Sequence, residues 1–373
     1  MLDCGFINFY TSKVLFLNCR SRVNNNKEFK TKPISIKDPM AATIKDVALK
    51  ANVSVATVSR VLNGTAKVSD TAKAAVLKAQ RELGFYLNAN ARTLARQDSQ
   101  TIGILVSDIS DPYFASMIKA CDVTANALNK SLLITQGFYD AKREQKALDN
   151  LLSHQCSGII IHVLGISDEV LSDYMKRFPY IVLVNRLLKG FEDRCVTIDN
   201  EQAMFNVVNY LIEQGHQKIA YVQSEYEVAD NTQRLSGYKK ALIAHNIEID
   251  DSLILKAHPS LEGGSKVAKE LIDIGLNKFT AVACYSDTIA AALMTNLINN
   301  GISVPDNVSI TGFDNLFLSS CMIPALTTVI NPIEQMGKRA LELSIALKNG
   351  DHSFKLGSFE TKLVCRNSVK KLK

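Results

Sequence analysis

A short segment, residues 53–63, carries side chains that suit contact with DNA bases. Val55 and Ala56 are small and apolar, so they suit a thymine methyl group better than bidentate hydrogen bonding. Arg60 is the one long, forked donor in the segment, and guanine is the commonest specific base partner of such a side chain. These residues predict a helix that enters a major groove and reaches base edges. The alternative is a surface helical pair without a ligand, because short amphipathic helices are common.

Three predicted helices would position this segment. Thr43 and Asp46 form a capping-box-like start for the first helix. Ser54 can cap the second helix and Ser69 the third, which Gly84 would end. The apolar residues at helical spacing are Ile44, Val47, Ala48 and Ala51, then Val58, Val61 and Leu62, then Ala72, Val76, Ala79 and Leu83. Two short helices joined by a tight turn and supported by a third predict a helix-turn-helix.

A second group of residues with binding chemistry follows predicted strands. Asn185, Arg234 and His162 supply hydrogen-bond donors and acceptors, and Phe114 supplies an aromatic face. A neutral polyol needs both kinds of partner for its hydroxyls and an apolar face for its C–H side. An ordinary loop histidine is the alternative for His162, although its place directly after a strand leaves a binding role equally open. Other polar residues near strand ends are Asp108, Ser110, Asp111, Tyr113, Arg186, Asp199, Ser286, Asp287 and Asp314.

From Thr101 onward the chain alternates apolar strands with helices. The predicted strands are 101–106, 131–135, 158–162, 180–184, 195–198, 218–223, 281–285 and 308–312, and the predicted helices include 113–129, 142–154, 202–214 and 233–245. Continuous apolar strands between helices indicate an α/β fold with parallel sheets covered on both faces. The strand count is too large for one small sheet. We therefore expect two doubly wound lobes, with a ligand between them at the carboxyl ends of the strands.

The predicted helix-turn-helix resembles the DNA-binding headpiece of the LacI/GalR family of bacterial repressors. The resemblance rests on residues 43–48 (TIKDVA) and 53–63 (VSVATVSRVLN), and it extends to about Arg366. In this family the first two residues of the recognition helix choose the operator, and Val55 and Ala56 are the pair typical of galactose repressors. The resemblance implies a body like the periplasmic sugar-binding proteins, with two lobes between which the chain crosses three times.

Residues 88–95 (NANARTLA) resemble the hinge helix of the same family. The resemblance implies a helix that forms on operator DNA, with Asn88 as its cap and Leu94 as a wedge between base pairs of the minor groove. The alternative is that Leu94 packs against the body, as apolar linker residues usually do. Leu87 stands where the family usually has proline, which would stiffen the entry. We therefore expect a floppier hinge here.

The family match assigns two sets of contacts by motif position. The DNA-binding residues it implies are Thr43, Ser54, Val55, Ala56, Thr57, Ser59, Arg60, Asn63, Asn88, Ala91 and Leu94. The effector-binding residues it implies are Phe114, His162, Asn185, Arg234 and Asp287, of which Asp287 and Arg234 match most firmly. D-galactose is the expected inducer, with another sugar or a small metabolite as the alternative. We expect neither a cofactor nor a metal.

The net charge is unevenly divided along the chain. Residues 1–39 contain seven Lys and Arg against three Asp and Glu, and residues 40–100 contain nine against four. The formal net charge of +6 therefore belongs to the first hundred residues, and the remainder is mildly acidic. A basic head on an acidic body suits a polyanionic partner for the head alone.

A change in composition at Met40 separates an N-terminal extension from the expected domains. Residues 1–39 are predicted either to come from an upstream start codon or to form a disordered basic arm that adds phosphate contacts. Residues 40–84 would form the headpiece, 85–100 the hinge, and 101–368 the effector and dimerisation domain. The eight cysteines form no CxxC pair and are spread singly, which fits a reducing cytoplasm and buried thiols.

Enzymes and transport proteins fit the sequence poorly. The chain has no Walker-type loop, no GxGxxG motif after a strand and no GxSxG elbow. A hydrolase on a doubly wound body is still an alternative, because the fold alone does not decide function. A sugar-binding transport protein would need an export signal and no headpiece. We expect a cytoplasmic, nucleoid-associated homodimer, because one headpiece reads only a half-site.

Overall fold

The computed structural model describes residues 42–64, 67–85 and 99–372, apart from the side chain of Asn63. The chain divides into two compact units, Met1–Leu87 and Asn88–Lys373. Each unit has its own apolar core. Among the described residues, no helix is both long enough and apolar enough to cross a bilayer.

The first unit is a three-helix domain whose helix ends are set by the capping residues predicted from the sequence. Its helices are α1 (Ile44–Ala51), α2 (Val55–Asn63) and α3 (Asp70–Leu83). Thr43 and Asp46 form a complete capping box, Ser54 accepts the amide of Thr57, and Gly84 ends α3 in the left-handed conformation. The buried centre consists of Val47, Ala48, Val58, Val76 and Ala79. The predicted helix-turn-helix is therefore confirmed, including its apolar faces.

The first lobe of the second unit is a five-stranded parallel sheet of order β2-β1-β3-β4-β5. Its strands are β1 (Thr101–Val106), β2 (Ser131–Gln136), β3 (Ile159–Ile161), β4 (Ile181–Val184) and β5 (Cys195–Val196). The helices that follow the first three strands are α4 (Pro112–Ala127), α5 (Ala141–Ser153) and α6 (Asp168–Arg177). The strand order reverses at β1, so a crevice opens beyond the carboxyl ends of β1 and β3.

The second lobe repeats this plan with a parallel sheet of order β7-β6-β8-β9. Its strands are β6 (Ile219–Ser224), β7 (Ile254–Ala257), β8 (Ala281–Cys284) and β9 (Ser309–Thr311). Its helices are α7 (Asn200–Glu213), α8 (Ala229–Ala244), α9 (Leu261–Ile274), α10 (Asp287–Asn299) and the short α11 (Phe317–Cys321). The prediction of two doubly wound α/β lobes is confirmed.

The chain crosses between the lobes three times. It leaves β5 for α7, returns after β10 (Thr328–Ile330) into α12 (Ile333–Lys348), and goes back to β11 (Lys362–Val364). The helix α12 packs against α4 of the first lobe, whereas β10 and β11 pair antiparallel. Three adjacent crossings allow the lobes to move as bodies about a hinge.

Several sequence predictions differ from the structure in detail. The strand β5 ends at Val196, two residues early, because Asp199 caps α7 and turns the chain into that helix. The strands β7, β10 and β11 were not among the predicted strands. Cys321 and Cys365 are exposed rather than buried, while Cys121, Cys156, Cys195 and Cys284 lie in the core.

Candidate functional site

The outer surface of α2 presents the residues predicted to read DNA. Val55 is 42% exposed, and Ala56 and Arg60 are also exposed, whereas Val58 is fully buried beneath them. Burial of Val58 fixes the rotation of the helix, so the Val55 end is left open to solvent. A slender helix with small residues at its first turn is the shape that a major groove admits.

The other predicted DNA contacts have different placements. Thr43 and Ser54 use their hydroxyls in the caps of α1 and α2, at 3.4 and 3.1 Å from the amides of Asp46 and Thr57. Thr57 and Ser59 are half-buried on the same helix. The side chain of Asn63 and the hinge residues Asn88, Ala91 and Leu94 lie outside the described residues.

A cavity of about 540 Å³, counting its open mouth, lies between the two lobes of the second unit. Four of the five predicted effector residues line it: Phe114, His162, Asn185 and Arg234. Phe114 lies in the first turn of α4, His162 and Asn185 directly follow β3 and β4, and Arg234 lies on α8. This is the edge at which a doubly wound fold binds ligands.

Arg234 is the central cation of the cavity and is only 2% exposed. Its Nε donates to Asn200 and its Nη1 to the carbonyl of Tyr285, at 2.9 and 2.7 Å. Its guanidinium also lies over the ring of Phe313, 3.7 Å from the centroid. These contacts hold the guanidinium in one orientation, and the carboxylates of Asp230 and Asp314 lie 3.8 and 3.9 Å from Nη2.

His162 and Phe114 form the wall that belongs to the first lobe. The ring of Phe114 meets that of His162 edge-on, with centroids 4.7 Å apart. Nδ1 of His162 lies 3.1 Å from the hydroxyl of Ser107, which leaves Nε2 available to a ligand. Burial lowers the pKa of His162 to about 4, so the imidazole is neutral at physiological pH.

Asn185 joins the two lobes beside the first crossing. Its side-chain amide donates to Asp230 at 3.0 Å, and Tyr285 donates its hydroxyl to the same carboxylate oxygen at 2.7 Å. The side-chain carbonyl oxygen of Asn185 is buried without a partner. An unpaired buried acceptor in a cavity wall is what a ligand hydroxyl would satisfy.

The placement of Asp287 contradicts the prediction that it faces the cleft. Asp287 is 0% exposed and is absent from the cavity wall. Its carboxylate accepts the amide of Leu316 at 2.7 Å and the hydroxyl of Thr328, so both oxygens are engaged within the second lobe. Burial raises its pKa to about 8. The residue ties the segment after β9 to the start of α10.

The cavity wall has an acidic balance. Asp111, Asp230 and Asp314 face it together with the single guanidinium of Arg234. Burial raises the pKa of Asp111 to about 6 and also raises the pKa of Asp314. Carboxylates accept hydrogen bonds from hydroxyls and repel anions, so the wall suits a neutral, hydroxyl-rich ligand better than a phosphorylated one.

The structure adds thirteen wall residues to the predicted effector contacts, although Asp111, Tyr113, Ser286 and Asp314 were already noted as polar residues near strand ends. They are Asp111, Tyr113, Tyr139, Leu164, Ser224, Tyr226, Val228, Asp230, Pro259, Tyr285, Ser286, Thr288 and Asp314. Position after a strand was the available signal for several of them, since Tyr139 follows β2 and Tyr226 follows β6. Asp230 lies on α8 one turn before Arg234, and only its burial beside that residue identifies it as part of the cavity wall.

Two family models together match most of the chain. One, described as "Periplasmic binding proteins and sugar binding domain of LacI family", matches residues 99–358. The other, described as "Bacterial regulatory proteins, lacI family", matches residues 43–88. These matches correspond to the two-lobed body and to the three-helix domain.

Two curated relatives are similar over nearly their whole lengths. The HTH-type transcriptional regulator GalR of Escherichia coli (strain K12) is 42% identical over 329 residues, which cover 88% of this chain and 96% of GalR. The HTH-type transcriptional repressor CytR of the same strain is 34% identical and covers 90% of this chain and 98% of CytR. The crystal structure of the lac repressor dimer bound to operator and an anti-inducer has a TM-score of 0.76. It is 24% identical over 88% of this chain and 99% of its own, so the likeness shows the shared fold.

Proposed function

Since the chain belongs to the LacI family of bacterial regulatory proteins, we propose that it represses galactose-utilisation genes and that D-galactose releases it from its operator. At the level of the family, the chain is a DNA-binding transcriptional repressor and not an enzyme. The operator, the sugar and the residues that contact them are the parts we propose.

The proposed DNA contacts centre on the exposed start of α2. Val55 and Ala56 would meet apolar base edges, and Arg60 would donate to a guanine. The hydroxyls of Thr43, Ser54, Thr57 and Ser59 would position the helix on phosphates. Asn63, Asn88, Ala91 and Leu94 complete the proposed contact set. Two headpieces are needed for a palindromic operator, so we propose a homodimer.

The observation that carries the effector proposal is the wall of the interlobe cavity. It combines a neutral imidazole, an aromatic face, an unpaired amide oxygen and buried carboxylates. Such a wall suits a neutral sugar, because it offers partners for the hydroxyls and an apolar face for the C–H side. The 42% identity with GalR and the Val55-Ala56 pair favour D-galactose within that class. The likeness to CytR favours the alternative, a repressor of this family with another small-molecule effector.

We propose that residues 40–84 form the headpiece, residues 85–100 the hinge and residues 101–368 the effector domain. In this scheme sugar binding changes how the lobes meet and separates the two hinges of the dimer. The hinge helices then lose their mutual packing, and short isolated helices are marginal in water. Operator affinity falls as a result.

The test measures operator affinity with and without millimolar D-galactose by fluorescence anisotropy. The probe is a palindromic duplex selected from a random library by the wild-type protein. Phe114→Leu, which removes the aromatic face of the cavity, should require roughly threefold to tenfold more galactose for release. Phe178→Leu is the matched control, because Phe178 is half-buried and lies outside the cavity wall.

Each outcome decides part of the proposal. If galactose leaves wild-type affinity unchanged, it is not the effector. If operator affinity rises with galactose, the sugar is a co-repressor and the sign of the switch is reversed. If Phe114→Leu responds like the wild type, the effector binds outside this cavity.

A further inference from the structure

Two tyrosines from opposite lobes stack on each other at the cavity wall. The rings of Tyr139, from the first lobe, and Tyr226, from the second, have centroids 4.2 Å apart and planes inclined by 20°. Both residues line the cavity and both are half-buried. We call them the tyrosine pair. A stack of this kind across a cleft forms only when the two lobes approach closely.

The backbone on the first-lobe side is arranged to hold Tyr139 in this position. Phe138 and Tyr139 have φ values of 53° and 59°, which side chains with a Cβ rarely adopt. The amides of Gly137 and Phe138 bind the carbonyls of Val106 and Ser107, which fixes the turn to the end of β1. A Cβ on Gly137 would lie 2.3 Å from Cγ of the buried Glu144, so only glycine allows this approach.

In the second lobe, hydrogen bonds hold Tyr226 in its position in the stack. The carbonyl of Tyr226 accepts the side-chain amide of the buried Asn231 at 3.1 Å. The phenol of Tyr226 lies 2.7 Å from Nε2 of His258, and the two rings meet edge-on. Tyr226 is therefore held by hydrogen bonds on both its backbone and its ring, and it presents one face to Tyr139.

The tyrosine pair lies on the side of the cavity away from the first crossing. On the hinge side, Asn185 and Asp230 border a separate depression formed with residues 197–201 of that crossing. On the other side, Tyr139 and Pro259 line both the cavity and an outer depression, whose wall also includes Asp108, Ser260 and Glu262. Tyr139 therefore lies where the cavity meets this depression, a place we call the outer entrance, and Tyr226 stacks on it from the cavity wall.

We propose that the tyrosine pair determines effector specificity by closing the outer entrance of the cavity, which retains a bound monosaccharide and excludes longer glycosides. The proposal rests on the proposed function for the identity of the ligand. The closure itself rests on the ring stack and does not depend on which sugar binds. Removing one ring opens the entrance, because each ring covers part of it only while it is stacked on the other.

The first test needs no ligand. Amide hydrogen exchange is compared in the full-length wild type, Tyr139→Leu and the ring-retaining control Tyr139→Phe. Tyr139→Leu should raise exchange in residues 137–140 and also in residues 224–228 of the opposite lobe, by roughly threefold to tenfold, the range expected for one aromatic pair. Tyr139→Phe should match the wild type. An increase confined to the mutated segment would overturn the proposal.

The second test measures ligand retention and size selection. D-galactose should dissociate from Tyr139→Leu and Tyr226→Leu roughly threefold to tenfold faster than from the wild type, because the ring stack no longer closes the entrance over the bound sugar. The ratio of the galactose affinity to the affinities of lactose and melibiose, two galactosides enlarged by one glucose, should fall in both variants. Unchanged dissociation and an unchanged ratio would contradict the closure.

The two tests separate this proposal from the proposed function. If wild-type protein does not bind galactose but Tyr139→Leu loosens both lobes, the pair closes the cavity and the galactose assignment fails. If galactose binds and releases operator while the tyrosine variants behave as wild type in both tests, the assignment holds and the role of the pair is disproved.

Discussion

Arg60 is the residue from which the clearest DNA-binding prediction follows. It is exposed on α2, while the buried Val58 sets the orientation of that helix. Arg60→Ala should cost about 1–3 kcal/mol of specific operator binding and relax the base preference at one operator position. The measurement is anisotropy with the selected operator and its single-base variants.

Two substitutions control the Arg60 experiment. Arg60→Lys keeps the charge but loses the planar fork, so it should retain phosphate affinity and still lose base preference. Arg81→Ala removes an exposed arginine from α3 and should have a smaller effect that is uniform across sequences. Equal base preference for the wild type and Arg60→Ala would show that another residue reads the base.

Asp287 gives a prediction about stability and pH. Its carboxyl ionises near 3.8 in the unfolded chain, and burial raises its pKa to about 8 in the folded protein. Between these values the folded state keeps a proton that the unfolded state has released, so stability falls as pH rises towards about 8. The neighbouring charges are Asp314, which raises the pKa further, and Arg366, which lowers it.

Asp287→Asn should reduce the fall in stability with rising pH, because an amide cannot ionise. The amide still fits between Leu316 and Thr328. The measurement is the urea midpoint of unfolding near pH 5 and near pH 8 for the variant and the wild type. The exposed Asp273→Asn on α9 is the control and should keep the wild-type decline. A decline of equal slope in Asp287→Asn would mean that Asp287 stays ionised in the fold.

At the scale of elements, the predicted hinge helix at residues 88–95 leads to a prediction about DNA bending. Leu94→Ala should weaken operator binding and reduce DNA bending while leaving galactose affinity nearly unchanged, because the proposed wedge acts only on DNA. Bending is measured by energy transfer between dyes at the two ends of the operator. Equal bending by the wild type and the variant would exclude the wedge and support packing of Leu94 on the body.

At the scale of the whole molecule, the proposed switch must obey linkage. If galactose weakens operator binding by some factor, operator must weaken galactose binding by the same factor, about 5-fold to 150-fold for typical coupling energies. Calorimetry with galactose, in the presence of operator or of a scrambled duplex of equal length, measures the reverse direction. A galactose affinity that operator does not change would contradict coupling between the cavity and the headpiece.

The sequence by itself determined the elements and their order. Capping residues, helical spacing and glycine stops are local signals, and the structure has α1, α2 and α3 between the residues they indicated. Apolar strands alternating with helices also predicted two parallel sheets. A strand in such a sheet is buried on both faces, so its sequence is continuously apolar. Strand ends also indicated the edge at which Phe114, His162 and Asn185 meet.

Only the tertiary structure decided which side chains at that edge face the cavity. Asp287 follows β8 like a ligand-binding residue, but the amide of Leu316 and the hydroxyl of Thr328 engage its carboxylate inside the lobe. Tyr139 and Tyr226 are far apart in sequence and come together only when two separate sheets approach. A buried polar or aromatic group turns toward whatever partners surround it, and those partners are brought there by the packing of distant segments.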